Sequence, residues 1–381
     1  MTERVGNPFT FGDLALDEAF TDRETEVREL CSDLRNGQNV ALIAPRRYGK
    51  TSLLRRAAQT LMAEDVLVAE VDLMKTPTRE KLAAKLARAI HDDIASPLVR
   101  ARDRLRVFAG LRITPTVTID PADGTPTFSF SAGLRREDLD DTIERLLELP
   151  AQLAAERGRK VVLVFDEFQE VTVVDPGLPA LMRAVFQEQR DVAHVYSGSR
   201  RDMMRRLFTD ANEPFFRSAK VVELERIDAV LFAEFVAERF AATGRGLADG
   251  LATRLVAITG GHPYATQELA YALWEEVPAG SSAGGADLER ALGAVLRSEN
   301  AHFTLVWEGA SRVQRLVLQA LAVEPGRVFG SEYRRRRDLP AASSVQRAVE
   351  QLQADELVAR TRDGYEITEP FLAEWVRTYG S

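Results

Sequence analysis

The sequence predicts an α/β domain built on a parallel sheet, with helices and a small mixed module after it. Five short apolar runs, 39–44, 66–72, 160–165, 193–197 and 220–224, are rich in β-branched residues, as strands buried on both sheet faces are. Amphipathic helical stretches lie between most of them, and this alternation is the pattern of a parallel sheet covered by helices. After Leu224 the strand-like runs stop, and the chain reads as helices from 226 to 300.

Each part follows from its own residues. Between the second and third runs, "LRITPTVTIDPADGTPTFSFSAG" has two alternating halves around a Pro/Asp/Gly turn, which predicts a β-hairpin insertion near 110–132. The helical segment includes "DAVLFAEFVAERFAATG" and "HPYATQELAYALWEEV", followed by a Gly/Ser-rich loop, "PAGSSAGGAD". Helices at 311–323, 330–338 and 343–354 precede two strands, "LVART" and "YEIT", joined by "RDG". Three helices and a hairpin in that order predict a winged helix, a helix-turn-helix variant. The expected domains are therefore a core over 1–225, a helical lid over 226–300 and a winged helix over 301–381.

Composition excludes several classes. A chain of 381 residues is too long for one ordinary core. No segment approaches the roughly 18 apolar residues of a membrane span, so no membrane partner is expected. A single cysteine, Cys31, rules out an internal disulfide framework and fits a reducing, cytoplasmic setting. The four histidines are scattered without metal-ligand spacing, which argues against a zinc site. A net charge of -8 argues against a protein that coats nucleic acid non-specifically, though not against a local basic patch.

The chemistry is concentrated in three stretches. "NVALIAPRRYGKTSLLRR", residues 39–56, follows the phosphate-loop pattern G-x-x-x-x-G-K-[ST], except that Ala44 stands at the first glycine. In such a loop, backbone N–H groups and the next helix N-terminus surround phosphate oxygens. Gly49 permits close approach, Lys50 reaches the phosphates, and the Thr51 hydroxyl ligates Mg²⁺. Alanine in place of the first glycine costs little where the backbone φ is negative. Pro45 lacks an N–H, but at the start of the loop. The expected nucleotide-binding residues are Ala44, Pro45, Arg46, Arg47, Tyr48, Gly49, Lys50, Thr51 and Ser52.

"KVVLVFDEFQEV", residues 160–171, is an apolar strand ending in two carboxylates, which are costly at the rim of a core without partners. They make sense if Asp166 orients Mg²⁺ and Glu167 polarises an attacking water. "AHVYSGSRRDMM" is a strand ending in Ser197, Ser199 and Arg200. If it lies between the two motif strands, these groups stand beside the γ-phosphate; otherwise Ser199 is a plain helix cap.

Together with "NPFTFGDLALDEAFTDRETEVREL", "PFFRSAKVVEL" and "GGHPYATQELA", these motifs resemble the archaeal-type P-loop ATPases, relatives of the AAA+ and STAND ATPases. The resemblance covers nearly the whole chain apart from the insertion. It implies a P-loop NTPase core of the additional-strand type, a helical lid and a C-terminal winged helix, with ATP or ADP and Mg²⁺ as ligands. By the same resemblance Phe20 and Arg23 lie near the adenine; the plainer reading, compatible with it, is an N-cap at Asp22 with a helix after it. His262 and Pro263 approach the nucleotide from the lid, and Arg200 acts as a γ-phosphate sensor. Arg217 is either a finger that completes a neighbour's site in a nucleotide-dependent homo-oligomer or an ordinary surface arginine. Three readings stay open: ATP hydrolysis that drives rearrangement of the domains, a slow ADP/ATP-gated switch, and a winged-helix DNA-binding regulator in which the nucleotide is incidental.

The winged helix leaves two partners open. Ser343, Ser344, Gln346, Arg347 and Gln351 on its third helix, Arg360 and Arg362 on the wing, and the cluster Arg334–Arg337 suit DNA. Against that, residues 301–381 hold eleven basic and eleven acidic side chains, and a dedicated DNA binder is usually basic. The competing reading is a packing module that holds the core closed or recruits a protein.

Overall fold

A computed structural model describes residues 6–12, 23–74, 76–95, 114–119, 126–131 and 136–380. It divides into two compact units. One is Arg23–Glu225; the other takes Arg226 onwards and the N-terminal segment, of which 6–12 are described.

Among the described residues, seven strands form in the first unit: β1 Val40–Ile43, β2 Leu67–Asp72, β3 Thr114–Ile119, β4 Pro126–Ser131, β5 Val161–Asp166, β6 Val192–Gly198 and β7 Lys220–Glu223. Strands β3 and β4 pair antiparallel as a separate hairpin. The other five make one parallel sheet in the order β2-β5-β6-β1-β7. The apolar runs form strands where the sequence places them. In β1 and β6 every residue is buried, as expected of central strands covered on both faces. The edges differ from that expectation. β7 is mostly exposed and β2 alternates, because an edge strand lacks neighbours on one side and carries polar residues there.

β6 pairs with both β1 and β5, so it lies between them. That order brings the carboxyl ends of three strands side by side: Ile43 pairs with Gly198, and Phe165 with Tyr196. Behind them an aromatic cluster of Phe165, Phe168, Tyr196, Phe208 and Phe215 closes the core. The first helix, Glu24–Arg35, has Arg23 at its N-cap rather than Asp22, and no side chain caps it. Asp22 itself lies outside the described residues, as does Phe20.

The second unit has its own core. Asn7 donates to the Tyr271 carbonyl at 3.2 Å, and Phe9 packs on Phe235 and Phe240. Asp228 caps the helix Ala229–Ala242 by accepting from Val230 and Leu231. Helices Leu251–Thr259 and Pro263–Glu276 follow, and then a single helix, Gly285–Gly309, runs through residue 300 without a break. The winged helix consists of helices Arg312–Val323, Ser331–Arg336 and Ala342–Ala354, antiparallel strands Val358–Arg360 and Tyr365–Ile367, and a last helix Pro370–Tyr379. Ser311 and Gln314 cap the first of these reciprocally.

Candidate functional site

The loop from Ala44 to Gly49 leaves β1 and enters the helix Lys50–Ala63. Ala44 keeps a negative φ, so the missing first glycine imposes no strain, and its N–H donates to the Gly198 carbonyl. Arg47 and Gly49 take φ of +66° and +78°. At Gly49 an added Cβ would meet no atom but would be held in a left-handed conformation, so the backbone favours glycine there.

Lys50, the first helical residue, is buried at 7% exposure, and its Nζ lies 3.0 Å from Glu167 Oε1 and 3.2 Å from Asp166 Oδ1. A buried ammonium is tolerable only with such partners. Asp166, the last residue of β5, also accepts from the Ser197 hydroxyl at 2.8 Å and from the Glu167 N–H at 3.0 Å. Glu167 is left-handed at φ +51°, a conformation uncommon for a residue other than glycine. Its second oxygen, Oε2, accepts from Gln169 Nε2 at 2.6 Å, from the Ser199 hydroxyl at 2.8 Å and from the Ser199 N–H at 3.3 Å. Burial alone would raise this carboxyl; Lys50 and the bonds from Gln169 and Ser199 outweigh it and hold Glu167 below the usual carboxylate range.

The structure thus brings Lys50, Asp166, Glu167, Ser197 and Ser199 together. Thr51 is half-buried and Ser52 buried in the first turn of the helix; Tyr48 and Pro45 are buried, and Arg46 and Arg47 are exposed. Arg200 stands at the N-cap of the helix Arg201–Thr209 with Nη1 3.9 Å from Glu170 Oε1. Arg217 is exposed, with its guanidinium 5.2 Å from the Phe216 ring and its N–H bonded to the Phe208 carbonyl. Arg23 is buried and donates to the Glu225 carbonyl and to Glu26.

His262 and Pro263 belong to the second unit. There His262 is buried and accepts from the Ala265 N–H through Nδ1, and Pro263 opens the helix. The turn before them has Gly260 and Gly261 at positive φ, against Arg226 and the Ile227 carbonyl.

On the winged helix most of the polar groups bond within the module. Glu324 accepts from Arg336 at 2.6 Å and from Arg337 at 2.7 Å, and Arg334 donates to the Phe329 and Pro340 carbonyls. Gln346 bonds Glu350, Gln351 bonds Asp355, and Arg347 bonds the Ser343 carbonyl. Arg335, Arg360 and Arg362 are exposed.

Sequence reading missed two residues, Gln169 and Gly198. Gln169 is 1% exposed, and nothing in the polar pair Gln169–Glu170 marks which of the two is buried. Gly198 has no room for a Cβ, which would stand 2.4 Å from Gln169 Oε1 and 2.5 Å from Met204.

The family described as "ATPase domain predominantly from Archaea" matches residues 20–269, and a probable winged helix domain matches 301–378. No curated protein sequence matches the chain. Among solved structures, the chain is similar to a Walker-type ATPase of Pyrococcus abyssi, with a TM-score of 0.64 at 19% identity over 95% of this chain and 97% of that one. It is also similar to the ORC2 protein of Aeropyrum pernix, solved as ADPNP–ADP complexes, with a TM-score of 0.51 at 15% identity over 97% and 98%.

Proposed function

The chain belongs to the family of ATPase domains predominantly from Archaea, and from that premise we propose that it binds ATP or ADP with Mg²⁺ and hydrolyses ATP. One observation supports this most: the Lys50 ammonium held between two carboxylates at the end of β5. The donor set fits the ligands. With Lys50 turned to phosphate oxygens, Asp166 and the Thr51 hydroxyl are left as oxygen ligands of the kind Mg²⁺ takes. The bound ion would neutralise charge on the phosphate oxygens. Glu167, fixed by Gln169 and Ser199, accepts a proton from water. The water oxygen bonds the γ-phosphorus, the bond to the β-phosphate oxygen breaks, and ADP takes up the electron pair.

Hydrolysis would drive rearrangement about the Glu225–Arg226 junction. On one side the Glu225 carbonyl is held by Arg23; on the other, Arg226 donates to the Gly260 carbonyl and to Glu366 of the wing at 3.1 Å. His262, Pro263, Phe20 and Arg200 are nucleotide contacts in this proposal, and Arg217 serves a neighbouring copy. The winged helix is the part assigned to a macromolecular partner, and its exposed arginines make duplex DNA the first to offer it.

The test is phosphate release from Mg·ATP over a range of protein concentrations, with Glu167→Gln as the blank. We expect the variant to lose turnover by about a hundredfold or more while still binding nucleotide. Specific activity that rises with concentration would assign Arg217 a role between copies. Equal release from both proteins at every concentration would overturn the proposal. A slow nucleotide-gated switch is the second reading, since the contacts of Lys50 with Asp166 and Glu167 must break before it can reach a phosphate. ADP retained through purification, with turnover no faster than the blank, selects it.

A further inference from the structure

The Gln169 side chain sits in an arrangement that its packing does not explain. It is buried in the turn after β5, and its Nε2 donates to Glu167 Oε2 at 2.6 Å. Its Oε1 is buried with no hydrogen-bond partner. A buried amide oxygen without a donor is costly, and an apolar side chain of the same length would avoid that cost. The end of β6 is also shaped around it, since any residue larger than Gly198 would strike Oε1. Nothing in the packing accounts for a glutamine here; the bond to Glu167 does.

We propose that Gln169 is a positioning residue for hydrolysis, holding Glu167 Oε2 so that Oε1 stays directed at the site. This rests on the hydrolysis reading above. Oε1 is held by Lys50 at 3.0 Å. Once Lys50 turns to a phosphate, that restraint is lost, and Glu167 keeps its direction only through Oε2. Two side chains then hold it, Gln169 from its own turn and Ser199 from β6. A general base must sit within hydrogen-bond reach of its proton, and a displacement of one ångström costs about a hundredfold in rate. Gln169 therefore acts on the chemical step, through Glu167, without touching nucleotide.

The experiment compares four full-length proteins: wild type, Gln169→Met, Glu167→Gln and the double variant. Phosphate release gives kcat and KM, a fluorescent ADP analogue gives nucleotide affinity, and thermal unfolding gives Tm. Methionine keeps the length and removes both the donor and the unpaired acceptor. We expect kcat to fall between about tenfold and a hundredfold, with KM and analogue affinity within about twofold. In the Glu167→Gln background the same substitution should change nothing, because its effect passes through the carboxylate. Equal kcat in wild type and Gln169→Met overturns the proposal and leaves the hydrolysis reading standing. An early-unfolding Gln169→Met, or one with weakened analogue binding, makes Gln169 a core residue and also overturns it. A wild type no more active than Glu167→Gln removes the hydrolysis reading itself, and this proposal with it.

Discussion

His194 lies at the centre of β6, wholly buried, with its ring 4.0 Å from that of Phe186 and Nδ1 3.2 Å from Asn39 Oδ1. Nε2 has no partner, and burial with no offsetting charge lowers the imidazole from its ordinary 6.5 to about 3. In the unfolded chain it titrates normally, so between pH 6.5 and 3 the unfolded state holds more protons. Stability is therefore full above 6.5 and declines as the pH falls, by about 1.4 kcal/mol per unit. Urea midpoints between pH 7 and 5 should show this decline, and His194→Phe should flatten it; an unchanged slope in the variant would contradict the account. Lys50 poses the opposite case, a charge kept inside by partners. Lys50→Ala leaves Asp166 and Glu167 facing each other at 16% and 10% exposure. We expect it to lose about 2–4 kcal/mol of ligand-free stability, and Glu167→Gln to lose less, because Lys50 then keeps Asp166. Urea denaturation at pH 7 measures both.

At the scale of elements, the strands were legible because each is a short β-branched run, and the carboxylates stood out because they end one of them. Strand order was legible only through the resemblance, which implied an additional strand between the two motif strands; the residue pattern alone left it open. The order depends on which crossover passes which strand end, and it alone brings Lys50 to Glu167, 117 positions apart. Gln169 and Gly198 were hidden for the same reason, since their meaning comes from the turn after β5 meeting the end of β6. The long helix from Gly285 was obscured by local composition. "PAGSSAGGAD" reads as loop, yet the helix begins inside it, with Asp287 accepting from the Gly284 N–H at 2.7 Å. The contact between β6 and the turn gives a prediction of its own. Gly198→Ala forces a methyl into Gln169 and the buried Met204. It should cost about 1–3 kcal/mol by overpacking and should lower kcat as Gln169→Met does, because the same amide is displaced. A variant of normal turnover would mean that Met204 alone yields.

At the scale of the molecule, each of the two units closes its own core, and the site's charges are satisfied within the first. The second unit satisfies most of its charges as well, and that bears on what it offers a partner. Arg336 and Arg337 are bound to Glu324, and Arg334 is directed at main-chain carbonyls, so of the four arginines Arg335 is the one that is exposed and outside these bonds. Arg360 and Arg362 add two exposed charges on the wing. If duplex DNA is the partner, it meets these three cations first. Each phosphate neutralised contributes about −0.9 to the slope of log affinity against log salt, so the slope should be about −3. Fluorescence anisotropy of a labelled duplex across a salt series measures it. Arg360→Ala should reduce the slope by about one unit on every sequence tested, as a phosphate contact does. A slope nearer −5 would mean that Arg336 and Arg337 leave Glu324 for phosphate, and Glu324→Gln should then strengthen binding. No binding at low salt, where these contacts are strongest, would turn the module over to a protein partner, which its balance of acidic and basic side chains equally permits.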